Sequence, residues 1–256
     1  MKPILEARGV IKDYPSVKVL KDVDVAVGEG DTLAVIGPNG AGKTTLFKVL
    51  SGEIFPDRGT VAFEGRDVTR MPVWRRVRAG FGRSFQIASV FQDLTAAQNV
   101  LVAVEALPSG RAPSSGFSLG CRPTTAVRDL VEEVLEEVGL ADKGGYEARL
   151  LSHGDKKRLE LAMSLALRPR ILLLDEPTAG MSPGDRQKSI ELIAALRTRH
   201  CMTVVLTEHD MGVVFGLASR VVVLHHGQLI AEGTPAEVRE SPVVRDVYLG
   251  NEAANA

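Results

Sequence analysis

The sequence predicts an α/β fold whose core is a mostly parallel sheet, interrupted by an inserted helical block. Three observations predict it. The runs TLAVIG, RILLLD and MTVVLT are short, continuously apolar and bounded by polar residues, the pattern of strands buried on both faces. A glycine-rich loop, GPNGAGKT (Gly37 to Thr44), joins the first run to a helix. Between the first run and the other two lies a stretch dominated by helical apolar spacing.

Taken in order, ILEARGVI and VLKDVDVAV read as strands, the second with alternating apolar positions, and Gly28 and Gly30 mark a turn before TLAVIG. The helix after the loop spans about Lys43 to Leu50. Gly59 to Phe63 reads as another strand, and Pro72 starts a short basic helix, PVWRRVRAG, since a first helical turn tolerates proline. FGRSFQ is strand-like and ends at Gln86. Thr95 to Leu107 reads as helix, and Pro108 to Pro123, rich in Gly, Ser and Pro, as a loop. AVRDLVEEVLEEVGL places Val127, Leu130, Val131, Val134, Leu135 and Val138 at helical spacing and stops at Gly139. LLSHGDKKRLELAM opens the next helix, with Ser152 as cap and Asp155 three residues on; it runs to Arg168 and is stopped by Pro169. A helix from about Pro183 to Arg199 links RILLLD to MTVVLT. VVVLHHGQLIAEG then reads as a hairpin turning at His226-Gly227, and a short helical tail follows. The expected organisation is one domain, 1–256, with an α/β core from 1–86 and 168–235, a helical subdomain at 87–167 and a tail at 236–256.

The net charge of −1 over 256 residues argues against wholesale electrostatic binding to nucleic acid. Arg75, Arg76, Arg78 and Arg83 form the one basic run, which reads as a solvated helix face. Cys121 and Cys201 lack metal-ligand spacing and suit inert packing in a reducing cytosol. No apolar run reaches the roughly 20 residues needed to cross a bilayer, and the charged start, MKPILEARGV, is unlike a signal peptide. The expectation is a soluble, cytoplasmic protein that meets a membrane only through a partner.

GPNGAGKT matches G-x-x-x-x-G-K-[ST] with a strand before it and a helix after it. Its glycines let backbone N–H groups face phosphate oxygens, and the helix N-terminus adds positive potential. Lys43 is placed to reach the β- and γ-phosphates, and Thr44 to put its hydroxyl on Mg²⁺. ILLLDEP sets Asp175 and Glu176 at the C-terminal end of a buried strand, where open α/β sheets bind ligands. Asp175 suits Mg²⁺ held through water; Glu176 can orient and activate a water against the γ-phosphate. Gln86 can touch metal or water, although chemistry alone reads it as a plain polar strand end. His209, after MTVVLTEH, can donate to a γ-phosphate or merely cap or pack. Tyr14 can stack on a purine if exposed, against the commoner role of a core tyrosine.

In this order, GPNGAGKT, Gln86, LSHGD, ILLLDE and His209 resemble the nucleotide-binding domain of an ABC transporter, and the resemblance covers essentially the whole chain. It implies a P-loop NTPase fold of the ABC ATPase type, with an antiparallel N-terminal β subdomain beside the core sheet. It implies ATP and Mg²⁺ as cofactors. Gly37, Pro38, Asn39, Gly40, Ala41, Gly42, Lys43, Thr44 and Thr45 would surround the triphosphate, with Tyr14 on the base. Thr44, Gln86 and Asp175 would serve the metal, and Glu176, His209, Gln86 and Lys43 the chemistry. LSHGD corresponds to the signature sequence, usually LSGGQ, so Ser152 and Gly154 would contact the ATP of a facing subunit. The unmatched donors at that helix start fit such a role.

The finer resemblance is to ATPase subunits of the branched-chain amino-acid importer group (LivG-type), carried by GRSFQ, NVLVA, LSHGDKKRLE, DEPTAGM and the tail EGTPAEVRESPVVRDVYLG. It implies a homodimer, or a heterodimer with a sister ATPase, working on integral membrane permease subunits that dock near Gln86 and the helical block. A solute-binding protein takes part indirectly, nucleic acid takes no part, and the chain sits peripherally at the inner face of the cell membrane. Importers of urea, amides or aromatic acids share much of this pattern. The motifs also fit an exporter subunit and, less well, a non-transport ATPase acting on nucleic acid. Three departures stand out. His153 replaces a signature glycine. Asp155 brings negative charge near the phosphate unless it turns back onto Ser152. Met181-Ser182 stands where Leu-Asp is common, so Ser182 brings no carboxylate to the subunit seam.

Overall fold

The computed structural model describes residues 2–15, 17–83, 90–106 and 123–253. The chain begins with β1 (Leu5–Tyr14), β2 (Val17–Val27) and β3 (Thr32–Ile36), then α1 (Lys43–Ser51), β4 (Arg58–Phe63), β5 (Arg66–Asp67), α2 (Val73–Ala79) and β6 (Phe81–Arg83). The helical block holds α3 (Ala96–Glu105), α4 (Thr125–Glu137) and α5 (His153–Ala166). The last third runs β7 (Ile171–Asp175), α6 (Pro183–His200), β8 (Thr203–Thr207), α7 (Met211–Leu217), β9 (Arg220–His225), β10 (Gln228–Gly233), α8 (Pro235–Glu240) and α9 (Pro242–Ala253).

Among the described residues the strands form two sheets. The core sheet has the order β10-β9-β3-β8-β7-β6, parallel from β9 to β6 and closed at one edge by the antiparallel β9–β10 hairpin. The second, β2-β1-β4-β5, is antiparallel throughout. The hairpin turns at His226 (φ 46°) and Gly227 (φ 79°), both left-handed as a tight two-residue turn between twisted strands requires.

Alternation along each core strand sorts the apolar side chains into two cores. Ala34, Ile36, Leu172, Leu174, Val204, Leu206, Val221 and Val223 face one way, against α3, α4, α5 and α6. Leu33, Val35, Ile171, Leu173, Val205, Val222 and Leu224 face the other way, onto α1 and the antiparallel sheet. This burial on both sides is why the three runs look continuously apolar rather than alternating.

The basic run is only in part a solvated face. Arg76, on α2, is fully buried, with its guanidinium aimed at carbonyls. It donates to Val49 O at 3.0 Å and Leu50 O at 2.5 Å, at the C-terminal end of α1, and to Val68 O, Thr69 O and Met71 O. A cation there satisfies orphan carbonyls and complements the negative end of the helix. Burial pushes the Arg76 pKa down to about 10, still well above neutrality. Arg83, on β6, is half-buried with its side chain largely covered, paired with Glu53 and donating to Ser51 Oγ at 2.6 Å, so it anchors the same end of α1. Arg75 and Arg78 do lie outside, over the ring of Trp74.

Other expectations shift by a residue or two. The helix over the signature stretch ends at Ala166, because Arg168 takes a left-handed φ of 49° before Pro169. Cys201 is exposed at the left-handed C-cap of α6 instead of packed inside. Gln86, Cys121 and most of the Pro108 to Pro123 loop lie outside the described residues.

Replacing Arg76 by Met keeps the bulk and removes every donor. We expect a loss of roughly 3 kcal/mol or more in unfolding free energy, since each buried carbonyl stripped of its donor costs about 1–3 kcal/mol. Urea denaturation of Arg76→Met measures it, and an unchanged midpoint would show the cap to be energetically idle.

Candidate nucleotide site

The loop from Gly37 to Gly42 leaves the end of β3 and turns into α1. Its glycines are required by geometry: a Cβ on Gly37 (φ 149°) would lie 2.0 Å from Leu224 O, and one on Gly42 (φ 105°) 2.8 Å from Val19 O. The loop is stapled from behind by the hairpin turn. Gly227 N–H donates to Ala41 O at 2.9 Å, and Lys21 N–H donates to Gly227 O at 2.8 Å. Lys43 is buried and its Nζ donates to Gly37 O at 2.7 Å and Pro38 O at 3.0 Å. Burial lowers the Lys43 pKa, with Glu176 and Asp175 pulling it back up, so the ammonium lies within their field. Asn39, Gly40 and Thr44 are exposed, and Pro38 and Thr45 half-buried, leaving the concave side of the loop open.

The ends of the next two strands, β8 and β7, carry the acids. Asp175 pairs in register with Thr207, and the Thr207 hydroxyl donates to Asp175 Oδ1 at 2.6 Å. Glu176 N–H donates to both Thr207 O and Thr207 Oγ1 at 3.1 Å. Glu176 itself is left-handed, with φ 48°. Its Oε1 lies 2.9 Å from His209 Nε2, so the ring carries its proton on that nitrogen, facing the carboxylate. Glu208, between Thr207 and His209, turns inward and is 4% exposed. Lys157, on α5, is buried; burial lowers its pKa, against the field of Glu160, Asp175, Glu176 and Glu208.

The signature stretch forms the start of α5. Ser152 is its N-cap: its Oγ accepts from Asp155 N–H at 3.1 Å and donates to Asp155 Oδ2 at 2.8 Å. Lys143 Nζ holds the same carboxylate oxygen at 2.7 Å. Asp155 is thus turned back and neutralised, which resolves the charge that its sequence position raised. Gly154 opens onto free space. His153 Nε2 lies 3.3 Å from Ala179 O, linking α5 to the segment after Glu176. Ser182 caps α6, accepting from Asp185 N–H at 3.2 Å and donating to Asp185 Oδ2 at 2.7 Å. The position where an acid is common thus starts a helix here, a role that serine fills as well as aspartate does.

The structure therefore gathers the loop, Lys43, Asp175, Glu176 and His209 at one end of the core sheet. Tyr14 ends β1, exposed and with Lys12 Nζ 5.8 Å from its ring centre, so it is not a core tyrosine. Ser152 and Gly154 sit at the start of another helix. Thr207, Glu208, Thr178 and Lys157 were not singled out by sequence reasoning. An acid directly after a buried strand and directly before a candidate histidine, as in VVLTEH, was the available signal for Glu208.

A glycine loop stapled between a parallel strand and a helix, faced by two strand-end acids, defines a P-loop nucleotide-binding cassette. The ABC transporter family model matches residues 20–179, and a "Branched-chain amino acid ATP-binding cassette transporter" model matches 228–254. The chain is 37% identical to the high-affinity branched-chain amino acid transport ATP-binding protein BraF of Pseudomonas aeruginosa, covering 97% of this chain and 98% of that one. It is 36% identical to the lipopolysaccharide export system ATP-binding protein LptB of Acidithiobacillus ferridurans, covering 98% and 99%. The crystal structure of the ADP conformation of MJ1267, an ATP-binding cassette of an ABC transporter, superposes with a TM-score of 0.83 at 28% identity, over 98% of this chain and 100% of that one. The chain belongs to the ABC transporter family and is one of its ATP-hydrolysing cassettes.

Two outcomes test this geometry. Gly37→Ala drives a methyl into Leu224 O, so nucleotide affinity measured by calorimetry is expected to fall at least tenfold; wild-type affinity would mean the loop can re-form around a side chain. The Asp155 carboxyl sits below the ordinary aspartate range: burial pushes it up, but the Lys143 and Ser152 hydrogen bonds outweigh that. A depressed pKa gives stability that is full above the unfolded value of about 4 and lost as pH falls through the folded one. The Tm difference between wild type and Asp155→Asn is expected to hold from about pH 7 to about pH 5 and to shrink below about pH 4. A difference independent of pH would remove Asp155 from the cap.

Proposed function

We propose that this chain is the ATP-hydrolysing subunit of an ABC importer that takes up branched-chain amino acids or closely related small solutes through a membrane permease. The observation that carries the reading is the match of β10, α8 and α9 to the branched-chain amino-acid cassette model over residues 228–254. BraF and LivG, named for branched-chain amino acid transport, support it at 35–37% identity. The LptB likeness, at 36% over 98% of this chain, favours a second reading as an exporter subunit; the description of the model matched by the C-terminal segment supports the importer reading. Uptake of urea, amides or aromatic acids is the nearest variant. Among the described residues no helix is long and apolar enough to cross a membrane, so membrane contact falls to permease subunits, with the chain peripheral on the cytoplasmic side.

In this reading the domain spans 1–256, with the helical subdomain at 87–167. Backbone N–H groups along Gly37 to Thr45, other than at Pro38, and the Lys43 ammonium hold the β- and γ-phosphates, which replace the loop carbonyls that Lys43 now meets. Tyr14 stacks on the base. Glu176 orients the attacking water, with its carboxylate aimed by His209; the imidazole N–H can pass to the γ-phosphate. Ser152 and Gly154 of a second cassette, either a copy or a sister subunit, close over the nucleotide. Mg²⁺ fits the donor set: the exposed Thr44 hydroxyl and the Asp175 carboxylate are hard oxygens, and Asp175 has one oxygen held by Thr207 and the other outside that bond. Bound there, the ion would offset phosphate charge. Gln86 keeps a place by the metal on its sequence position alone.

Glu176→Gln is expected to bind ATP, dimerise more persistently on sizing, and hydrolyse about 100-fold or more slowly, the range seen when one preorganised polar group is lost from a transition state. Undiminished turnover would remove Glu176 from the role. For the solute, cells carrying Lys43→Ala are expected to lose uptake of labelled leucine from dilute medium. Normal uptake with a defective outer envelope would favour export.

A further inference from the structure

One buried acid at the nucleotide face is left unused by this scheme. Glu208 Oε1 accepts from the Thr178 hydroxyl at 2.7 Å and from Thr178 N–H at 3.3 Å. Its Oε2 accepts from the backbone N–H of His209 at 3.1 Å. A carboxylate buried this deeply is unfavourable unless its oxygens are satisfied, and here both are, by neighbours of the two groups proposed to do the chemistry.

We propose that Glu208 is a positioning residue for ATP hydrolysis: by clamping Thr178 and His209 together it sets how the Glu176 carboxylate faces the His209 ring. The inference rests on the roles given above to Glu176 and His209. Glu176 occupies left-handed backbone space, which is unfavourable for a residue with a side chain and persists only where the surroundings over-determine it. Upstream, its N–H is held by Thr207. Downstream, the chain is held by Glu208 at Thr178, two residues on. Both anchors are consecutive residues at the end of β8, so Glu176 is fixed between points that cannot move independently. The contacts close a ring: Glu176 to the His209 imidazole, His209 N–H to Glu208, Glu208 to Thr178, and Thr178 back through Pro177 to Glu176. Lys157, on α5, faces the same group and lies in the field of Glu208, Asp175 and Glu176, along with Glu160.

The chemistry requires a carboxylate. Oε1 meets the Thr178 N–H and hydroxyl, and Oε2 meets the His209 N–H, so a glutamine would turn its amide nitrogen toward a donor on one side. Steady-state hydrolysis by the full chain with ATP and Mg²⁺, nucleotide affinity and Tm would be measured for Glu208→Gln, Thr178→Val, Thr178→Ser and the pair Glu208→Gln/Thr178→Val, with Glu176→Gln alongside. Glu208→Gln is expected to lower kcat about tenfold, which is about 1.4 kcal/mol of barrier, with KM and nucleotide affinity within about twofold. Thr178→Val should fall severalfold, Thr178→Ser should recover wild-type kcat, and the pair should be no worse than Glu208→Gln alone, as expected of residues acting as one unit.

The proposal is overturned if folded Glu208→Gln keeps its kcat, if only KM moves, or if the losses in the pair multiply. Should Glu208→Gln fail to fold, the Thr178 variants decide: equal loss in Val and Ser rejects the clamp. If Glu176→Gln hydrolyses at the wild-type rate, the underlying scheme falls and the clamp with it. If Glu176→Gln is inactive while the Glu208 and Thr178 variants are normal, the clamp alone falls.

Discussion

Everything at the nucleotide face depends on the lateral register of three parallel strands. Val35, Thr207 and Asp175 lie level across β3, β8 and β7. Because the strands stop together, the glycine loop starts two residues past Val35, the acid Glu176 one residue past Asp175, and Glu208 and His209 just past Thr207. That register is enforced by burial on both sides. A slip of one residue would carry every side chain of β8 to the opposite core. The chemistry at the strand ends is thus positioned by Leu and Val packing well below it.

Helix α1 is held at both ends by unlike means. Its start lies under the glycine loop, where unpaired N–H groups and the positive end of the dipole suit an anion. Its end is closed by the buried Arg76, with Arg83 beside it paired to Glu53. A cation at one end and a site for anionic oxygens at the other satisfy the same backbone dipole in opposite senses. The helix is short, Lys43–Ser51, and its termini are therefore a large share of its hydrogen-bonding groups.

Much of this was legible in the residues. The glycine loop could be read because its spacing reflects backbone geometry directly, and the buried parallel strands because two-sided burial leaves continuous apolar runs. The hairpin turn could be read from His226-Gly227. Arg76 could not: in one dimension a buried arginine inside VWRRVRA looks like its solvated neighbours, and only the approach of α1 distinguishes it. Thr207 and Glu208 were hidden for a related reason. Their partners, Asp175, Glu176 and Thr178, are about 30 residues away in sequence and become neighbours only through parallel pairing across α6. The departure at Ser182 looked like a loss at the subunit seam; locally it is the start of a helix, which its hydroxyl caps.

The hairpin turn that backs the glycine loop has a consequence for biosynthesis. The loop is complete by Thr44, yet Gly227 supplies its rear support through Ala41, and β3 needs β8 and β9 as flanking strands. A ribosome-bound fragment ending before the last quarter of the chain would hold the motif without the pocket. The emerging polypeptide therefore lacks the rear support and both flanking strands of its glycine loop until nearly all of it has been made, and loop closure over such long separations is entropically slow.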